Sequence, residues 1–314
     1  MALHYNLQVS NVRIPGRFLL ALACAPLLMG GACEKKPASR PSDSEAIKAL
    51  DNTTAAPGPV DTTPLAGIDL GKLDADKTKL FYALVGSLKS PCGKAESLRA
   101  SFTKDTACKR APFAVRYVAS LIEDEAPEQA VREAYGKKYE PSPPVKLDVS
   151  KAPREGAANG AIRIVEFFDY ECPHCAAFKA VLDQVIADKG GDVTAYFLMF
   201  PIESKHPNSR SAAQAALAAH EQGKFKAMHD VLFAEQHHTR DDVMAAAKKL
   251  QLDVARFEKA YDAAGAQVTA DLAQGEAAGV DSTPTVYFGD RKYDGPLHPK
   301  YLEMWIDEEL AVNR

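Results

Sequence analysis

The sequence predicts an α/β domain over residues 143–314, preceded by a small all-α region over residues 67–142. Three observations predict it. Ile162-Arg-Ile-Val-Glu-Phe-Phe168 is a short run rich in β-branched and aromatic residues, the composition of a buried strand. It turns through Asp169-Tyr-Glu171 into Cys172-Pro-His-Cys175, after which Phe178, Val181, Leu182 and Val185 recur at helical spacing. Residues 67–142 instead carry apolar stripes at i, i+4 and i+8, the pattern of packed helices.

Residues 1–32 read as a secretory leader. Arg13 and Arg17 supply the charged start, and Phe18 to Met29 is an apolar run too short to span a membrane stably. Small residues Gly30-Gly-Ala32 then precede Cys33. Cys33, followed by Glu34-Lys-Lys, resembles the lipid-modified cysteine of bacterial lipoproteins, although Gly30 stands where that motif usually has Leu. The alternative is ordinary cleavage after Ala32, leaving a free periplasmic protein. Residues 33–66 hold five prolines among Ser, Thr, Asp and Ala, too polar to repay the entropy of ordering, and read as a disordered tether.

In the all-α region, Leu80, Phe81, Leu84, Val85 and Leu88 form one stripe, and Leu98 with Phe102 a second short helix. Val115, Val118, Leu121 and Ile122 mark a third, and Pro127 suits the first turn of a fourth carrying Val131 and Tyr135. Cys92 and Cys108 lie near two helix starts. They read as a structural disulfide, which an exported protein can keep and which would contribute about 3 kcal/mol by closing its short loop. A redox relay to Cys172, or two unpaired thiols, are the other readings.

In the α/β domain, Val145-Lys-Leu-Asp-Val149 alternates as an edge strand. The strand over 161–168 and the Cys172 helix follow, and Val193 to Phe200 reads as another buried strand. A helical block over about 204–279 comes next, with Asn208 or Ser209 as one cap, Thr239-x-x-Asp242 approximating a capping box, and Asp253 capping the helix of Phe257 and Tyr261. Thr285 to Phe288 and Arg291 to Tyr293 then form a hairpin across Gly289-Asp290. A last helix carries Leu302, Trp305, Ile306 and Leu310.

A Cys-x-x-Cys at a helix N-terminus has a chemical logic. The unpaired N–H groups of the first turn and the positive end of the helix dipole favour a thiolate at Cys172. Cysteine pKa values in such settings fall to roughly 3.5–7.5. His174, when protonated, would favour the thiolate further, and Cys175 one turn on can close or open a disulfide. Competing readings fit less well. Structural zinc needs four ligands, and Cys92 and Cys108 form no second Cys-x-x-Cys. Haem attachment needs a His at position 176, which is Ala. A purely structural disulfide leaves Pro173-His174 unexplained.

Glu166-Phe-Phe-Asp-Tyr-Glu-Cys-Pro-His-Cys175 resembles the active-site strand and helix of the DsbA-like thiol–disulfide oxidoreductases. The likeness continues through Phe197 to Pro201, Gly223 to Phe233 and Ser282-Thr-Pro-Thr-Val-Tyr-Phe288. It implies a thioredoxin fold with a helical insertion, and a redox-active disulfide between Cys172 and Cys175. Cys172 would be the nucleophile, Cys175 the resolving thiol and His174 a thiolate stabiliser. Glu166 would be a buried acid that moves protons to Cys175, while Asp169 and Glu171 are expected as exposed loop acids. Thr283 and a cis Pro284 would offer backbone groups to a peptide substrate. Thr283 stands where some DsbA proteins have Val, and resembles the isomerases and reductases of the same compartment. The resemblance implies no cofactor and no resident metal. Its partners would be cysteine-containing exported proteins and a membrane redox partner, with the membrane reached through Cys33 if that residue is lipidated.

The expected activity is disulfide formation in exported proteins. The alternatives are an isomerase or reductase kept reduced by a membrane donor, and a non-catalytic lipoprotein holding Cu(I) on soft thiolates. A formal net charge of −4 without a basic patch speaks against nucleic acid. The remaining histidines, His206, His220, His229 and the His237-His238 pair, read as surface or helix residues.

Overall fold

A computed structural model describes residues 59–235 and 238–313. The expectations for the leader, for Cys33 and for the tether as far as residue 58 lie outside these residues. Within them, residues 59–66 are not a tether. Leu65 is buried against the helices that follow, and Arg99 Nε binds Asp61 Oδ2 at 2.8 Å.

Four helices come first: α1 (Ala75–Ser87), α2 (Leu98–Lys104), α3 (Ala111–Glu123) and α4 (Glu128–Tyr139). Asp74 and Ser97 cap the first two by accepting from Lys77 N–H and Ala100 N–H. Their apolar stripes meet in one cluster around Phe81, Leu84, Leu98, Val118, Ile122 and Val131. Cys92 and Cys108 are joined in a disulfide with Cα atoms 5.9 Å apart, Cys92 exposed and Cys108 buried.

The α/β part is built on β1 (Arg154–Gly156), β2 (Ile162–Phe168), α5 (Pro173–Lys189) and β3 (Val193–Met199). An insertion of α6 (Ser209–His220), α7 (Phe225–Ala234), α8 (Arg240–Lys249) and α9 (Val254–Ala277) follows. Strands β4 (Thr285–Phe288) and β5 (Arg291–Tyr293) and helix α10 (Pro299–Asn313) complete it. The sheet order is β1-β3-β2-β4-β5, with β2 and β3 parallel and the other pairs antiparallel. None of the described helices is long and apolar enough to cross a membrane.

Both faces of β2 are covered, which is why its sequence is nearly continuously apolar. Ile162, Ile164 and Phe168 face a core shared with Cys175, Phe178 and Leu182 of α5. Val165 and Phe167 face a second core with Leu198, Phe200 and Tyr287. Side chains alternate along a strand, so Glu166 lies on the α5 side. Gly275 in α9 permits the close approach on the other side. A Cβ there would stand 2.6 Å from Phe200 Cδ2 and 3.1 Å from Phe167 Cδ1.

Residues 145–149, expected as an edge strand, form no strand. Val145 N–H reaches Asp290 O once, and Leu147 is buried against the second core as part of a loop. The edge strands are β1 and β5.

Helix α10 faces two ways. Leu302, Trp305 and Ile306 belong to the α/β core, while Tyr301 and Met304 pack into the helical cluster. Glu308, fully buried, accepts from Arg110 Nη1 at 2.8 Å and Tyr139 Oη at 3.0 Å, and pairs with Lys138 Nζ at 2.9 Å. Lys138 Nζ also sits 3.7 Å from the Trp305 ring centre, and burial lowers its pKa to about 8.

Candidate active site

At the carboxyl end of β2 the chain enters a turn built by Asp169. Its Oδ1 accepts from Glu171 N–H at 2.8 Å, and its Oδ2 from Ile202 N–H at 2.7 Å and His206 Nδ1 at 2.8 Å. Asp169 is therefore buried, not an exposed loop acid. Glu171 is only partly exposed, its Oε2 accepting from Asn208 N–H at 3.0 Å. These bonds tie the turn to the segment leaving β3 and fix where α5 begins.

Cys172 occupies the N-cap of α5, with Pro173 at the first helical position, where its missing N–H costs no bond. Cys172 N–H donates to Asp169 O at 3.2 Å. Both Cys172 and Cys175 are unpaired thiols here, and Cys175 is fully buried. Cys172 Sγ lies 3.4 Å from Thr283 O, in the loop where the Thr283–Pro284 bond is cis. The sheet brings that loop to the cysteines, because β4 pairs directly with β2 through Phe167↔Thr285.

The two sulfurs are electrostatically unequal. A hydrogen bond from the Cys175 thiol stabilises the Cys172 thiolate, and Thr283 and the backbone N–H groups of Cys175 and His174 add to it. Together they hold the Cys172 pKa at about 4. Burial, then the same contact with Cys172, pushes the Cys175 thiol upward, and the Glu166 carboxylate acts in the same direction. The His174 ring was expected to stabilise the thiolate. Its side chain is exposed, and its backbone N–H is among the groups that lower the Cys172 pKa.

Glu166 is buried between β3 and β4, opposite Phe197 and Val286. Burial raises its pKa to about 8, so it holds a proton at neutral pH. Glu155 on β1 is a second acid that the sequence did not single out. Burial pushes it to about 7, its Oε1 has no hydrogen-bond partner, and its charge acts to raise Glu166 further.

His229 was also missed as a core residue. It lies on the same face of α7 as Phe225 and Phe233, packed edge or tilted against Phe168, Phe197, Phe225 and Phe233. Burial lowers its pKa to about 3, and its Nδ1 lies 3.0 Å from Tyr170 Oη. Its spacing of four from Phe225 and Phe233 was the available signal. His238 is likewise buried, with Nε2 2.8 Å from Leu232 O.

A strand ending in a dithiol helix, a cis-proline loop beside the sulfurs and a parallel β2–β3 pair agree with a match to the family model described as thioredoxin over residues 150–308. The chain belongs to the thioredoxin family. Among solved structures, this thioredoxin-family chain is similar to a thioredoxin-like oxidoreductase from Silicibacter pomeroyi, at 30% identity and TM-score 0.44, over 50% of this chain and 91% of that one. It is also similar to BdbD from Bacillus subtilis, at 24% identity and TM-score 0.47, over 53% of this chain and 97% of that one. It is 33% identical over 173 residues to the Na(+)/H(+) antiporter NhaA 3 of Salinispora tropica, covering 54% of this chain and 26% of that protein. The chain spans about a quarter of the length of the curated relatives it matches.

Proposed function

We propose that this protein is a thiol–disulfide oxidoreductase that forms disulfides in exported proteins. The observation that carries the reading is the inequality of the two sulfurs, Cys172 held near 4 and Cys175 pushed upward. In the oxidised enzyme, a substrate thiolate attacks Cys172 Sγ and the Cys172–Cys175 bond breaks. Cys175 leaves and takes a proton, for which Glu166, protonated up to about pH 8, is the proposed donor. A second substrate thiolate then attacks the substrate sulfur of the mixed disulfide, and Cys172 leaves as a thiolate. The substrate is oxidised by two electrons and the enzyme reduced by two. A low-pKa leaving group speeds that last step and favours the reduced enzyme, making the disulfide oxidising.

Export would follow from the leader at 1–32, and membrane attachment from lipidation of Cys33. A second reading is an isomerase or reductase, favoured by Thr283 at the position before the cis proline. Equilibration of the Cys172–Cys175 pair with glutathione decides direction. A potential well above the thioredoxin value of about −270 mV is expected, and one at or below it would overturn the oxidase reading.

A further inference from the structure

We propose that a recess beside Cys172 is a subsite for a basic side chain, lysine or arginine, flanking the reactive cysteine of the substrate polypeptide. The proposal rests on the oxidoreductase reading and names its substrate class. The recess has a volume of about 360 Å³, and Tyr170, Glu171, Cys172, Phe233, Glu235 and His238 supply most of its wall. Among the described residues, no lysine or arginine lines it.

Its polar groups are two carboxylates, Glu171 and Glu235, and a His238 ring nitrogen left without a hydrogen bond. Glu171 is anchored through Oε2 to Asn208 N–H, which leaves Oε1 facing His238 Nδ1 at 3.4 Å. That contact lacks hydrogen-bond geometry, and Nδ1 has no hydrogen-bond partner although His238 is only 1% exposed. The Leu232 carbonyl 2.8 Å from Nε2 can only accept, so Nε2 carries the proton. Nδ1 is then held against the Glu171 carboxylate without a hydrogen bond. A guanidinium or ammonium N–H entering the recess would meet the partly exposed Glu171 carboxylate. Glu235 adds a second carboxylate at the rim, facing the exposed Lys249 at 3.5 Å. Tyr170 and Phe233 provide an apolar wall for the methylene stem and ring faces for the cation.

The test uses the full oxidised chain and short dithiol peptides that differ only in the residue beside one cysteine, which is Arg, Lys, norleucine or Glu. Arg and Lys peptides should exceed the Glu peptide in kcat/KM by about tenfold or more, the scale of a hydrogen bond to a charged group. In Glu171→Gln/Glu235→Gln the difference should shrink to about twofold, the loss expected when both charges go. If the double variant fails to fold, Glu235→Gln alone, at an exposed position, should reduce the preference. Equal rates for Arg and Glu peptides in the wild type would overturn the subsite. Oxidation of uncharged 2-mercaptoethanol reports the chemistry separately, and its absence would sink the oxidoreductase reading instead. Calorimetric binding of the same peptides with serine in place of cysteine then decides the subsite without turnover. Arg tighter than Glu supports it, and equal affinity overturns it.

Discussion

Replacing Glu166 by Gln should change how stability depends on pH. The comparison is made in a Cys172→Ser/Cys175→Ser background, so that the redox state cannot vary. Unfolded, Glu166 titrates at its ordinary value of 4.5; folded, burial holds it at about 8. Below pH 4.5 both states are protonated and the carboxyl contributes no slope. Between 4.5 and 8 only the unfolded state releases the proton, so wild-type stability falls by about 1.4 kcal/mol per pH unit from this group. By pH 7 the accumulated loss is about 3 kcal/mol. The Gln variant lacks it. Its stability relative to the parent should therefore grow by that amount between pH 4.5 and 7, measured by urea unfolding across the range. Glu155, at about 7, and His229, at about 3, titrate in both proteins and largely cancel in the difference. A difference that stays flat with pH would show Glu166 ionised in the ordinary carboxylate range and unable to donate a proton to Cys175.

Alkylation of the reduced protein with iodoacetamide should label Cys172 with a midpoint near pH 4 while Cys175 remains unmodified, as peptide mapping would show; a midpoint near pH 9 would contradict the thiolate reading. Glu308→Gln should lower stability by about 3–5 kcal/mol in urea unfolding, because Arg110 and Lys138 then lose their buried counter-charge. A loss below about 1 kcal/mol, the worth of an exposed pair, would mean the cluster is solvated.

Much of the architecture was readable because local chemistry and fold agree. The Gly289-Asp290 hairpin formed between the expected strands. Thr239 and Asp242 make a reciprocal capping box, and Asp253 caps α9 through Arg256 N–H. Other features depend on contacts far apart in sequence. The alternation in Val145–Val149 reported that Leu147 faces a core, but alternation does not reveal whether a partner strand lies alongside. Asp169 looked like a turn acid because nothing near it shows that Ile202 and His206 return to its carboxylate. Asn208 precedes α6 as expected, yet its side chain makes no capping bond. Glu155 was illegible for the same reason. Its burial follows from the pairing of β1 with β3.

The C-terminal helix acts as a party wall, one side plastered into the sheet's core and the other into the amino-terminal helices. Excising residues 59–142 would therefore not free a self-sufficient redox module. It would strand Tyr301 and Met304 in water and leave Glu308 a buried anion stripped of Arg110, Lys138 and Tyr139.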